Sequence, residues 1–317
     1  MKIGQLYDLD RFKSFADSAK KTGFKDSASG VILARNLTAV NPKIFEKKYP
    51  ELSFVNSGIT VDNTGGYARR IQSLRIEEQG DFADSSDLNT GKGRISLTAE
   101  DSFIKVFPKE AHSIWSDDEI KEAELGNINL VQRYIQTHNK VYNQKIDEIG
   151  YLGHNGQEGV LNYSGFTSTS AAGAIGTLTA QQMYDEFATL ITDQRNGVNN
   201  TPEYSCNKVV MPVGVMNTLT VKMLNTAAGN STVFRALQDN FPDISFVTSF
   251  RAALVGAATA VVAYSTNEES AVMRIPVRLT VGEIIKQTSF NYRVDSKFRI
   301  AGLDVLEDTS GRILTGL

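Results

Sequence analysis

Residues 116–163 read SDDEIKEAELGNINLVQRYIQTHNKVYNQKIDEIGYLGHNGQEGVLNY. Ser116 followed three residues later by Glu119 is a capping box, and Asp117 and Asp118 add negative charge at the positive end of the helix dipole. Gly126-Asn127 marks a break or restart. Beyond it, Ile128, Val131, Ile135, Tyr142, Ile146 and Ile149 recur at helical spacings along one face. From Asn127 to Ile149 such a helix is about 35 Å long at ~1.5 Å per residue. It runs out through an acidic-apolar turn, IDEIGYLG, into a glycine-rich run that closes on Gly159-Val160-Leu161-Asn162. Nothing in the stretch has the pattern of catalytic chemistry.

On the N-terminal side, three β candidates precede the helix: Tyr67–Ile76, Arg94–Thr98 and Ser102–Phe107. Charged positions interleave with apolar ones in the first of them. Between the first two lies EEQGDFADSSDLNTGKG, which is too poor in apolar residues to bury itself on its own subunit. A hairpin with so polar a tip stands in solvent or lies across another chain. Its charged residues Glu77, Asp81, Asp84, Asp87, Lys92 and Arg94 are therefore candidate contacts to a neighbouring copy. Residues 1 to about 55 mix charge with scattered apolar side chains and read as an extended arm with short helical pieces. Residues 1–50 hold ten Lys and Arg against five Asp and Glu. That local excess suits either acidic groups of neighbouring subunits or a polyanion.

On the C-terminal side the pattern is mixed α/β to about residue 280. Thr179 with Gln182 is a second capping box, opening a helix with Met183, Phe187, Leu190 and Ile191 on one face. A strand over Lys208–Met211, a helix begun near Ser231 and a strand over Ile244–Val247 follow, then β again at Met273–Leu279 and Phe298–Leu306.

The chain has 317 residues, 41% apolar and 22% charged, with a formal net charge of -3. These values suit one large or two small globular domains and argue against a general nucleic-acid binder. The single cysteine, Cys206, allows no internal disulfide, fits assembly inside a cell, and reads as a small buried hydrophobe. MKIGQLYDLDRFKSF lacks the apolar core of a signal peptide, and the apolar run Ala252–Ala263 is short of the roughly 20 residues that span a bilayer.

Small-molecule chemistry finds no foothold. His112, His138 and His154 fall in different elements, without the convergent spacing of metal ligands or a triad. Asn89-Thr90-Gly91-Lys92-Gly93-Arg94 lacks the Ser/Thr after lysine and the following helix of a phosphate loop. Asp81, Asp84, Asp87 and Asn89 miss the glycine and terminal glutamate of a calcium loop. Gly153–Gly159 follows a helix instead of opening one, the wrong order for a dinucleotide site, and reads as a turn between subdomains. No cofactor is implied.

The order of these pieces resembles the major capsid proteins of tailed bacteriophages with the HK97-like fold. The resemblance rests on the Ser-Asp-Asp-Glu cap, Ile146-Asp147-Glu148, the glycine-rich stretch and Gly159-Val160-Leu161-Asn162. It continues in Ser231–Leu237, Phe241-Pro242-Asp243-Ile244 and Arg274-Ile275-Pro276-Val277, and spans about residues 55–317. It implies an α+β fold with an N-terminal arm (1–55) and an E-loop hairpin with P-domain strands (56–110). A P-domain spine helix (111–152), an A-domain (153–280) and P-domain return strands (281–317) follow. It implies a non-enzymatic shell subunit, assembled in the host cytoplasm into pentamers and hexamers around double-stranded DNA. Its partners are then other copies of itself, a portal protein, any separate scaffolding or decoration proteins and DNA, with no membrane. Some members join an E-loop lysine to an asparagine of a neighbour, and Lys92 and Asn291 are the positions open to that bond here. The rival readings are an encapsulin-type compartment shell and a soluble enzyme using the 153–159 loop.

Overall fold

The computed structural model describes residues 52–54, 58–82, 94–126, 128–226, 229–253 and 260–317. In chain order these form β1 (Thr60–Asp62), β2 (Arg70–Gly80), β3 (Ile95–Lys105), β4 (Phe107–Ser116), α1 (Asp117–Leu125), α2 (Leu130–Leu152) and β5 (Thr167–Ser170). Next come α3 (Ala180–Gly197), β6 (Lys208–Met211), α4 (Val213–Val221), β7 (Met223–Thr226), β8 (Gly229–Thr232), α5 (Val233–Asn240) and β9 (Ser245–Thr248). The chain continues through β10 (Ala260–Tyr264), β11 (Ala271–Arg274), β12 (Val277–Lys286), β13 (Asn291–Ile300), β14 (Gly302–Val305) and β15 (Gly311–Thr315).

The helix region begins as its sequence demands. The Ser116 hydroxyl accepts the Glu119 N–H, and the Glu119 carboxylate accepts the Ser116 N–H. Gly126 ends α1. Asn129 restarts the helix by accepting the Gln132 N–H, and α2 runs 23 residues to Gly153, whose φ of 79° closes it. The expected apolar seam is only half-buried over its first turns, at Val131 and Ile135, and buried at Ile146 and Ile149. The helix starts after Ser116 as expected, and residues 111–116, included in the expected 111–152 spine-helix segment, finish β4. Trp115 is buried there and stacks on Tyr134 of α2, with centroids 5.0 Å apart, while its neighbour Ile114 faces out. That alternation is a strand's, and the capping box at Ser116 forbids helix before it.

β4, β13 and β12 form an antiparallel sheet against which α2 packs, with Tyr142 edge-on to Phe298 at 4.9 Å. β1, β11 and β14 form a second small sheet, and β5-β15-β10-β6-β9 a five-stranded one. Every residue of β6 and β10 is buried, as in strands covered on both faces. Val210, Val262 and Ile313 face the core that holds the end of α2, and Val209, Met211, Val261 and Leu314 face the core under α3, α4 and α5. The C-terminal strand differs from expectation. Residues 311–315 do not return to the β12–β13 sheet but lie between β5 and β10.

One buried ion pair ties these parts together. The Arg251 Nε donates to Asp147 of α2 at 2.6 Å, and its Nη2 donates to the Gln144 carbonyl at 3.0 Å. The second Asp147 oxygen accepts the Phe54 N–H at 2.9 Å, and the Phe54 ring lies so near Gly150 that a Cβ there would stand 2.4 Å from it. The glycine-rich run folds back on the helix end as a turn, with Val160 and Leu161 donating to the Gly150 and Tyr151 carbonyls at 3.0 Å.

Candidate assembly interface

β2 and β3 pair over eleven residues each, from Arg70 opposite Lys105 to Gly80 opposite Ile95, and among the described residues neither strand pairs with any other. Opposed residues share a face and successive residues alternate. Gln72 with Phe103, Leu74 with Asp101, Ile76 with Ala99, Glu78 with Leu97 and Gly80 with Ile95 therefore lie on one side. Ser73, Arg75 and Gln79 lie on the other with Ser102, Glu100 and Ser96.

The first side carries a contiguous apolar stripe that is exposed and that nothing among the described residues covers. Leu74 is 62% exposed, Ile76 58%, Ile95 65%, Leu97 70% and Phe103 58%. Fully burying a side chain of this kind is worth roughly 1.5–3 kcal/mol. A two-stranded ribbon is marginal alone, and an apolar patch of this extent on a soluble chain marks a contact surface.

The charged candidates are placed only in part. Asp81 and Arg94 come together across the outer end of the ribbon, where the Asp81 N–H donates to the Arg94 carbonyl at 3.3 Å, and both are exposed. The Glu77 backbone pairs opposite Thr98. Asp84, Asp87 and Lys92 lie outside the described residues. Asn291 is exposed at the start of β13, in the turn from β12, where its N–H donates to the Thr288 hydroxyl at 3.2 Å. The apolar stripe was missed because Arg75, Glu77, Glu78, Glu100 and Asp101 punctuate it in the sequence. The signal was present as alternation, Leu74-x-Ile76 and Ile95-x-Leu97, but only the register shows that the two sets share a side.

The three histidines stay apart, and among the described residues no group of three or more His, Cys, Asp and Glu could hold a metal ion. His138 is buried between α2 and the sheet, hydrogen-bonded to Ser113 at 2.9 Å and Ser296 at 2.7 Å. His154 sits edge-on to Phe107 and contacts Lys109 through its Nε2. Cys206 is buried, and burial pushes its thiol up, which fits a core residue and not a nucleophile.

A long helix laid on an antiparallel sheet, a five-stranded sheet with helices against it and a ribbon with one exposed apolar side define the HK97-like fold of capsid subunits. The chain belongs to the major capsid protein family, whose sequence pattern matches residues 90–316. It is 42% identical to a chain from the capsid of Myoviridae phage XM1, covering 90% of this chain and 98% of that one, with a TM-score of 0.81. A chain from the capsid of a native GTA particle shares the fold at 11% identity and TM-score 0.69, covering 92% of this chain and 98% of that one. A chain of the holo-SrpI encapsulin complex from Synechococcus elongatus shares it at 9% identity and TM-score 0.57, covering 90% and 95%. No curated protein matches the sequence. The chain is a tailed-phage major capsid protein and so a component of the virion.

Proposed function

We propose that copies of this chain form the pentamers and hexamers of an icosahedral shell around double-stranded DNA. The uncovered apolar side of the β2–β3 ribbon is the observation that carries this reading. It belongs against an adjacent subunit, on the sheet and spine helix of that neighbour's P-domain. Obligate interfaces bury thousands of square ångströms, and extended ribbons and arms supply such area where a compact body cannot. In this reading the ribbon is the E-loop. The P-domain comprises β4, α1, α2, β12 and β13, and the A-domain comprises the five-stranded sheet with α3, α4 and α5, including β15.

The role is assembly, without turnover. Assembly takes place in the host cytoplasm, with a portal protein at one vertex and any scaffolding or decoration proteins as further partners. Residues 1–55 act as an arm reaching neighbouring subunits.

Expression of the chain followed by negative-stain imaging, sedimentation and the absorbance ratio at 260 and 280 nm tests this. Closed particles and capsomer-sized oligomers are expected from the wild type. A monomer at all concentrations overturns the shell reading. Particles from infected cells that hold an enzyme and no DNA favour a compartment shell instead.

A further inference from the structure

We infer that Ser73 and Arg75 are positioning residues: with Arg274, Asp304 and Glu307 they set the direction in which the β2–β3 ribbon leaves its own subunit before any neighbour is met. That the ribbon meets a neighbour rests on the shell reading above; the holding of its direction does not.

A ribbon joined to the body only through its ends is free to swing. No body strand extends its hydrogen-bond ladder among the described residues, and the Val106 N–H to the Arg69 carbonyl, at 3.0 Å, closes its base. The Gln157 amide also donates to the Lys105 carbonyl at that base, at 3.0 Å, and side chains on the polar side hold the ribbon farther out. The Arg274 guanidinium, on β11, is fixed within the body by contact with Asp62 of β1 and by its Nε donating to Asp304 of β14 at 3.1 Å. The Ser73 hydroxyl completes this group, donating to the same Asp304 oxygen at 2.7 Å and accepting from Arg274 Nη2 at 3.2 Å. Two residues along the same side of the ribbon, Arg75 Nη2 donates to Glu307 at 2.7 Å.

The two pairs differ in kind. Asp304 is 5% exposed, so the bonds around it act where water competes little. The Arg75 side chain is 42% exposed and its ion pair adds little energy, but it fixes a second point and with it an angle. Both ties engage the polar side, so the apolar stripe is held facing away from the body. A stripe held in a set direction loses less freedom on docking.

The full-length chain, kept unassembled at low concentration, carries spin labels at Gln79→Cys on the ribbon and Asn143→Cys on α2. Cys206, 1% exposed, stays unlabelled. Pulsed dipolar spectroscopy is expected to give one narrow distance distribution. Ser73→Ala with Arg75→Gln removes both ribbon-side ties but leaves Arg274, Asp62 and Asp304 intact. The distribution is then expected to broaden about twofold as fixed rotamers are released, with the melting temperature held. Ser73→Thr, which keeps the hydroxyl, is expected to retain the narrow distribution beside the native Arg75. An unchanged distribution in the double variant overturns the inference, as does equal broadening from Ser73→Thr. Failure of the wild type to form particles would sink the shell reading and leave this measurement as it stands.

Discussion

At the scale of residues, the buried polar groups carry the sharpest consequences. Asp147 has no exposure and spends its oxygens on Arg251 and the Phe54 N–H. Arg251→Ala leaves that carboxylate uncompensated, and urea unfolding should show a loss of about 3–5 kcal/mol. Asp147→Asn combined with Arg251→Met should recover much of it, since both charges are then gone. Ile135, on the expected seam, is half-buried, so Ile135→Ala should cost about 1 kcal/mol or less, against about 2–5 kcal/mol for the fully buried Ile149→Ala. Both are read from the same unfolding curves.

His138 adds a dependence on pH. The Ser296 hydroxyl donates to the Ala111 carbonyl at 3.3 Å, so its oxygen accepts from His138 Nδ1–H and Nε2 accepts from Ser113. Burial holds the imidazole below the usual histidine range; Asp295 pulls it up and His112 pushes it further down. His154 is lowered too, first by burial and then by Lys109 and Lys145, with Glu148 opposing. Groups depressed in the folded state and titrating near pH 6.5 in the unfolded chain favour folding above that pH. Their contribution is lost as pH falls below about 6.5 toward the folded values. Thermal unfolding between pH 8 and 5 should show that decline, and it should flatten in His138→Gln with His154→Gln. An equally steep decline in the double variant would place its origin in other groups.

At the scale of elements, legibility followed how local the determining physics is. Both capping boxes, the break at Gly126 and the strand at 208–211 were readable because a few adjacent residues decide them. Ser102–Phe107 and Arg94–Thr98 read as two strands but are largely one, since Glu100 and Asp101 face solvent on an exposed ribbon and do not interrupt pairing. The end of β4 drew no strand reading because the alternation of Ile114 and Trp115 shows only against a partner strand. The apolar side of the ribbon was hidden because it is a property of register, which a single strand does not contain. That side yields a direct test. Leu74→Asp or Leu97→Asp should leave the melting temperature of the unassembled subunit within a few degrees, because both side chains face solvent there. Particle yield by sedimentation should collapse. Wild-type yields from both variants would remove the apolar stripe from the interface.

At the scale of the whole molecule, charge is divided unevenly, with the basic excess concentrated in residues 1–50. Replacing Lys20, Lys21 and Lys25 with Gln separates two uses of it. If the arm neutralises packaged phosphate, empty shells form normally and DNA retention weakens with salt, without sequence preference. If it pairs with acidic groups of neighbouring subunits, empty shells fail to close. The second outcome is expected, because a five-charge excess is small against packaged DNA. Counting closed empty shells by electron microscopy decides between them.

The place of β15 bears on when this molecule becomes competent. The five-stranded sheet has β15 second from one edge, flanked by β5 in parallel and by β10 in antiparallel array. Thr167 therefore waits for Arg312, its partner 145 positions later, before its edge strand has anything to pair with. A ribosome adding roughly 5–20 residues per second needs on the order of 15–60 s to reach that point. Until then the five-stranded sheet lacks one of its inner strands, whereas both strands of the β2–β3 ribbon are made long before. Order in the β5 edge is thus supplied by residues made long after it, and a chain still short of Gly311 has no partner for that strand.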